Sequence, residues 1–211
     1  MIHWRTGRIA EADQLVRRFH YSARWPSNVQ MVATGHADGG LFGDDGECLA
    51  ALTFSIPPTR WSEPVWELSR LVRREGAEIN LTALIAFACK VARAQGADLL
   101  VSFADWTQGH HGGIYQAASW NFAGKRDRAM DGVMIGGAFV PGRSCNSAFG
   151  TRSPARLAVQ GIDALPHYDE GKALYWRALN RVGKAKAARL ELSALPYWKP
   201  SLDAAPAAGA K

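Results

Sequence analysis

Hydrophobic positions along the chain fall into short segments of differing period. Over Ile9–Phe19, IAEADQLVRRF, residues Ile9, Leu15, Val16 and Phe19 recur near one side of a helical repeat, which predicts an amphipathic helix. His20–Asn28 follows as a polar and aromatic loop broken by Pro26. Val29–Thr34 and Cys48–Ile56 read as strands, and the Gly/Asp-rich stretch His36–Gly46 between them suits a hairpin turn. Pro57 and Pro58 end the second strand, and Val65–Val72, of mixed period, is assigned as a third. Asn80 is a good N-cap for a helix over Leu81–Gln95, whose first half is almost wholly apolar, and Gly96 stops it. Ala97–Ala104 is an apolar run of strand length, as expected of a buried central strand, with Asp105 at its carboxyl end.

Beyond that point the pattern weakens. Gly112–Trp120 predicts a short helix, closed by Gly124, and Val133–Val140 a strand weakened by Gly136 and Gly137. Arg143–Asp163 has no clear period, and Lys172–Leu195 reads as partly helical. Small residues and proline after Pro200 predict a disordered tail over 200–211. The order of elements implies a mixed α/β fold with one central sheet, in a single domain over 1–199.

Composition adds limits more than chemistry. The 211 residues are 47% hydrophobic and 21% charged, ordinary values for a globular protein. A formal charge of +6 favours an anionic partner, nucleic acid or a phosphorylated cofactor. The basic residues gather at Arg17, Arg18 and Arg24, at Arg70, Arg73 and Arg74, at Lys125, Arg126 and Arg128, and in a basic C-terminal extension from Lys172 to Lys199. The three cysteines lie far apart and the N-terminus is no signal peptide, which points to a reducing cytoplasm. No run approaches the roughly 18 apolar residues of a membrane span. Nothing in the composition fixes the oligomeric state, and a dimer is compatible with it.

Sites in open α/β sheets lie beyond the carboxyl ends of strands. Asp105 is so placed, either as a general base or as an ordinary cap of the following turn. His110 and His111 lack a zinc-type spacing with cysteine or carboxylate, so no metal is assigned, while Gly112 and Gly113 permit close backbone approach to a ligand. Tyr115 enters the next helix, where it serves either as an acid or in the core. His20 and Tyr21, with Arg24 nearby, form a second such group.

The segment Ser102–Gly124, SFADWTQGHHGGIYQAASWNFAG, resembles the central segment of the phage Mom-type DNA adenine modification proteins. Flanking blocks agree in order: His20-Tyr21-Ser22, Glu67-Leu68-Ser69-Arg70 followed by Asn80, and an echo at Leu195-Pro196-Tyr197-Trp198-Lys199. The resemblance implies a GNAT-like α/β fold, a central mixed sheet flanked by helices. It implies conversion of adenine in double-stranded DNA to N6-carbamoylmethyladenine, which protects phage DNA from host restriction in a bacterial cytoplasm. It also implies site residues at His20, Tyr21, Arg70, Asp105 and Tyr115, with Arg73, Asn80 and Ser102 toward a donor. That donor is expected to be acyl-CoA (acetyl-CoA) or another activated compound.

Such chemistry needs the base flipped from the duplex. Trp25, Trp106 or Trp120 are candidates to stack on it, and Arg24, Lys125 and Arg126 to hold phosphates. In one respect the chain departs from GNAT acyltransferases. Glu78 stands where their pyrophosphate loop has Gly or Ala, and a carboxylate there repels a pyrophosphate. Two other readings stay open: a GNAT acyltransferase acting on a small amine or protein, and a DNA-binding protein without catalysis.

Overall fold

In the computed structural model, which describes residues 2–38, 45–57 and 61–197, the chain opens with a strand. The elements are β1 (Ile2–Thr6), α1 (Ile9–Phe19), β2 (Val29–Asp38), β3 (Asp45–Ser55), β4 (Trp66–Arg73), α2 (Leu81–Ala94) and β5 (Leu99–Asp105). A short 3-10 turn, Trp106–Gln108, leads to α3 (Gly113–Ala117), β6 (Asn121–Lys125), β7 (Met130–Ile135), β8 (Ala138–Pro141) and α4 (Gly142–Phe149). The chain continues through α5 (Pro154–Val159), β9 (Ala164–Tyr168), β10 (Lys172–Ala178) and α6 (Arg181–Arg189). The centre of the expected hairpin turn, Pro58, Trp198, Lys199 and the expected tail over 200–211 lie outside the described residues.

The strands make a seven-stranded sheet, β1-β2-β3-β4-β5-β10-β6, and a three-stranded sheet, β8-β7-β9. The chain forms two compact units. The first comprises Met1–Phe103, Gly112–Gly124 and Leu174–Lys211; the second comprises Ala104–His111 and Lys125–Ala173. Among the described residues no helix is long and apolar enough to cross a membrane.

In the first unit β1 to β4 pair antiparallel in sequence order. Helix α1 buries Ala12, Leu15 and Val16 against Val32, Cys48, Ala51 and Val72. Of its expected apolar face Leu15, Val16 and Phe19 pack inward, while Ile9 is 56% exposed and Ala12 joins the buried side. In α2, Asn80 caps as expected, accepting from the amides of Thr82 and Ala83, and Leu84, Ile85, Ala88, Cys89 and Ala92 are buried. Each fully buried Leu or Ile contributes about 1.5–3 kcal/mol, which is why this apolar helix sits against the sheet. Strand β4 then meets β5 in parallel, at Trp66↔Leu100 and Glu67↔Val101 alone. Strand β1 escapes the sequence reading because an edge strand buries little and needs no strong alternation.

In the second unit the expected strand over Val133–Val140 is two strands. Gly136 and Gly137, at φ +56° and +80°, form the turn between them and align Ile135 with Ala138. Positive φ at both positions is what a two-residue hairpin turn requires. Arg143–Asp163 contains α4 and α5, whose Cys145 and Leu157 pack on Val133. Lys172–Leu195 begins as strand β10, where Ala173 and Tyr175 are buried in alternation, before turning helical at α6.

The second unit is tied by Asp169, which is fully buried. Its Oδ1 accepts from Arg126 at 2.9 Å, from the Ala129 amide at 3.2 Å and from the Gly171 amide at 3.1 Å, while Oδ2 accepts from the same guanidinium. Burial pushes its proton affinity up. The Arg126 bond and the two amides outweigh burial and hold the carboxyl below its usual range. A depressed carboxyl stabilises the fold above its unfolded value and loses that contribution as pH falls through the folded one. Asp169→Ala is expected to cost about 2–3 kcal/mol, measured by urea unfolding at neutral pH. The difference from wild type should shrink as the pH is taken below about 4.

Candidate active site

Tyr115 stands at the centre of the first unit's polar residues. Helix α3 buries it, 8% exposed, among the rings of Trp120 (5.5 Å) and Tyr175 (5.2 Å). Gly112, at φ +81°, makes this possible, because a Cβ there would lie 2.1 Å from the Tyr175 ring. Ser102 Oγ is 2.8 Å from both the Leu68 carbonyl and the Tyr115 hydroxyl. A carbonyl only accepts, so the single Ser102 proton goes to Leu68, and Tyr115 donates to Ser102. Burial pushes the Tyr115 phenol up to about 12, with Tyr21, Glu67 and Tyr175 acting the same way. Tyr115 is thus a proton donor across the physiological range.

Strand β4 brings Glu67 and Arg70 toward the same group. Burial depresses the Arg70 guanidinium from its ordinary value, against the influence of Tyr21 and Glu67. Arg70 Nε donates to the Arg24 carbonyl at 3.0 Å, so the His20–Arg24 loop is pinned to β4. Within that loop the Ser22 amide donates to His20 Nδ1 at 3.1 Å, which leaves the proton of the neutral ring on Nε2. His20 packs on Tyr21 at 4.4 Å, and Tyr21 is 55% exposed. His20, Tyr21, Arg70, Ser102 and Tyr115 thus share one unit. Sequence reasoning missed Glu67 as a carboxylate in its own right; its place beside the buried Leu68 in the Glu-Leu-Ser-Arg block was the available signal.

Asp105 belongs to the second unit. Its Oδ1 accepts from the Thr107 amide at 3.1 Å and its Oδ2 pairs with Lys172 at 3.2 Å. The cap contact is the ordinary one for such a turn. Lys125 Nζ lies 4.0 Å over the Trp106 ring, whose edge meets His111 at 5.2 Å. Burial lowers His110 from its ordinary value, Asp105 opposes that effect and His111 adds to it. Arg126 is engaged with Asp169, and Trp120 is fully buried in the first unit, which removes it from the base-stacking candidates.

The sequence model of the Mom protein family matches residues 5–199. The chain belongs to the Mom protein family. No curated protein is similar enough in sequence to match it. Among solved structures, a Salmonella typhimurium protein described as an acetyltransferase, solved with its cofactor acetyl-CoA, aligns with a TM-score of 0.51 at 8% identity. That alignment covers 86% of this chain and 95% of the other. A protein of the GNAT family from Desulfovibrio desulfuricans, also described as an acetyltransferase, aligns with a TM-score of 0.50 at 12% identity, over 85% of this chain and all (100%) of the other. The Mom-family chain has the GNAT acetyltransferase fold: a mixed α/β architecture with a large central sheet and flanking helices.

The segment before α2 differs at Glu78 from the pyrophosphate loop expected of GNAT acyltransferases. Two of the first amides of α2, those of Thr82 and Ala83, are bonded to Asn80 Oδ1, and Leu84 donates to the Asn80 carbonyl. Helix termini bind anions through such amides when they are free. Glu78 is exposed just before them, and Arg74 is held by Glu47 and by the Cys48 carbonyl, which leaves Arg73 as the exposed cation of this segment.

The raised phenol makes a pH prediction. A group whose proton is held more tightly in the folded state stabilises the fold below the unfolded value and loses that effect through the folded one. Unfolding free energy should therefore fall from pH 10 toward about 12. Between pH 9 and pH 11 that fall amounts to about 1.3 kcal/mol, and Tyr115→Phe should remove it, read by urea unfolding at the two pH values.

Proposed function

We propose that this Mom-family protein is a transferase that converts adenine in double-stranded DNA to N6-carbamoylmethyladenine and so protects phage or prophage DNA from restriction in the bacterial cytoplasm. The observation that carries the reading is the family match over nearly the whole chain. The buried donor Tyr115, with Glu67 acting on it, supports the reading.

The N6 lone pair of adenine is delocalised into the ring, so the amine must lose a proton as its new bond forms. In the proposed step N6 bonds to a donor carbon and the bond from that carbon to its leaving group breaks. The N6 proton passes to a carboxylate, and Tyr115 gives its proton to the leaving group. Asp105 is the carboxylate at the end of the central strand, and Glu67 is the one set near Tyr115. General acid–base help of this kind contributes about 10²–10⁴-fold. Arg70 holds the loop that carries His20 and Tyr21, which shape the pocket for the base.

The base must leave the stack, at a cost of a few kcal/mol. Trp25 and Trp106 can offset that cost by stacking, and Arg24 and Lys125 by phosphate contact. A carbamoylmethyl group places a CH₂ on N6, whereas simple acyl transfer places a carbonyl there. The bond to N6 is therefore made at a carbon other than an acyl carbonyl. Acetyl-CoA, the cofactor of the Salmonella structure, is a donor candidate on fold likeness, but the segment at Glu78–Asn80 argues against pyrophosphate binding there.

Expression in a bacterium, followed by mass spectrometry of digested nucleosides, should show the N6-substituted deoxyadenosine. Tyr115→Phe should lower its yield about 10²–10⁴-fold while DNA binding stays within about twofold, since Tyr115 is buried away from phosphate contact. Asp105→Asn and Glu67→Gln, measured side by side, assign the proton acceptor to whichever abolishes modification. An unmodified nucleoside pool from well-expressed wild-type protein refutes the proposal.

A further inference from the structure

A second cluster of chemically active side chains lies under α1, among residues the proposed reaction does not use. Register pairs His36 on β2 with Cys48 on β3, and α1 packs over Cys48 and brings Glu11 to it. We propose that Glu11, His36 and Cys48 bind a divalent transition-metal ion of the zinc class, with its fourth position open to a small anion.

Geometry is the first argument. One carboxylate oxygen, one imidazole nitrogen and the thiol sulfur lie within 4.8 Å of one another. His36 Nε2 is 3.3 Å from Glu11 Oε2. Tetrahedral coordination with bonds of about 2.0–2.2 Å spaces nitrogen and oxygen ligands about 3.3–3.6 Å apart, so this edge of the site already has the right length. A mixed oxygen, nitrogen and sulfur set favours zinc and its neighbours over magnesium or calcium.

Proton placement is the second argument. His36 Nδ1 is 3.2 Å from the Gly46 carbonyl, which can only accept, so Nδ1 carries the proton of the neutral ring. A backbone carbonyl on the far nitrogen is also what orients a metal-binding imidazole. The Nε2 lone pair then faces the Thr34 hydroxyl at 2.9 Å and Glu11 Oε2. Thr34 can donate to Nε2, but the carboxylate oxygen cannot. Glu11 Oε2 is shielded from solvent and has no hydrogen-bond partner among the described residues. Two acceptors face each other in a site that is almost closed at His36, 1% exposed. A cation between them resolves the conflict, and the Cys48 sulfur at the same point selects a metal ion over a proton.

A pocket of about 680 Å³ adjoins the cluster and indicates the open position. Glu11 and Cys48 line it together with Arg17, Arg18 and Arg74. Arginines around a metal suit a carboxylate or phosphate as the fourth ligand. This inference is independent of adenine modification, and its test reads metal directly.

The full chain, purified without a histidine tag, is loaded with Zn²⁺ or Co²⁺, dialysed, and assayed for bound metal and for the near-ultraviolet thiolate-to-cobalt band. Wild type should hold one equivalent and show the band. Cys48→Ser should lose the band, and both it and Glu11→Gln should weaken binding at least about tenfold. Cys89→Ser, a buried thiol elsewhere, should change neither readout. Circular dichroism confirms that each variant is folded. Failure of wild type to bind either ion overturns the site, as does wild-type affinity in folded Cys48→Ser and Glu11→Gln.

Discussion

Strands β4 and β5 run parallel for two residue pairs, Trp66↔Leu100 and Glu67↔Val101, and the next carbonyl, that of Leu68, is met by a side chain. Ser102 Oγ supplies the hydrogen bond that a continued ladder would have given. A buried carbonyl left without a donor would cost about 1–3 kcal/mol, so Ser102 makes the parting of the strands tolerable. The same oxygen accepts the Tyr115 proton. One hydroxyl thus closes the end of the ladder and orients the phenol, and a residue without an oxygen at this position could do neither.

The rest of the first unit's polar group follows from that bond. Tyr115 is held in a wall of aromatic rings that Gly112 alone leaves room for, and it stays protonated because burial and nearby negative groups oppose its ionisation. Arg70 projects from the same β4 that Ser102 secures, and through the Arg24 carbonyl it fixes the His-Tyr-Ser turn. The His-Tyr-Ser loop, the Glu-Leu-Ser-Arg block and the Ser102–Tyr115 pair are therefore joined by hydrogen bonds, whereas Asn80 bonds within its own helix and Asp105 is held by the second unit through Lys172 and the Thr107 amide.

What could be read from the chain followed how much of each segment is buried. Helix α2 and strand β5 are deeply buried and declared themselves by composition and cap, to within a residue or two. Strand β1 lies at a sheet edge, and β10 hides its alternation behind lysine, arginine and alanine, so neither stood out. Gly136 and Gly137 weakened an expected strand because a turn between two strands and a flaw within one look alike without register. Tyr115 and Ser102 were legible as positions, but the direction of the proton between them needed the Leu68 carbonyl. Arg126 looked like a phosphate ligand, and only the fold pairs it with Asp169.

Fold likeness and family membership bear on different halves of the function. The central sheet is shared with GNAT acetyltransferases, yet the α2 terminus, where that fold's pyrophosphate loop lies, is closed here by Asn80 and fronted by Glu78. The product expected of the Mom family likewise differs from acyl transfer at the atom that matters, a CH₂ in place of a carbonyl on N6. Both departures concern the donor. In the proposed reaction proton movement is left to a buried phenol that keeps its proton and to a carboxylate. A fold can keep proton handling while the donor changes, because removing a proton from an amine and giving one to a leaving group are needed whichever carbon forms the bond.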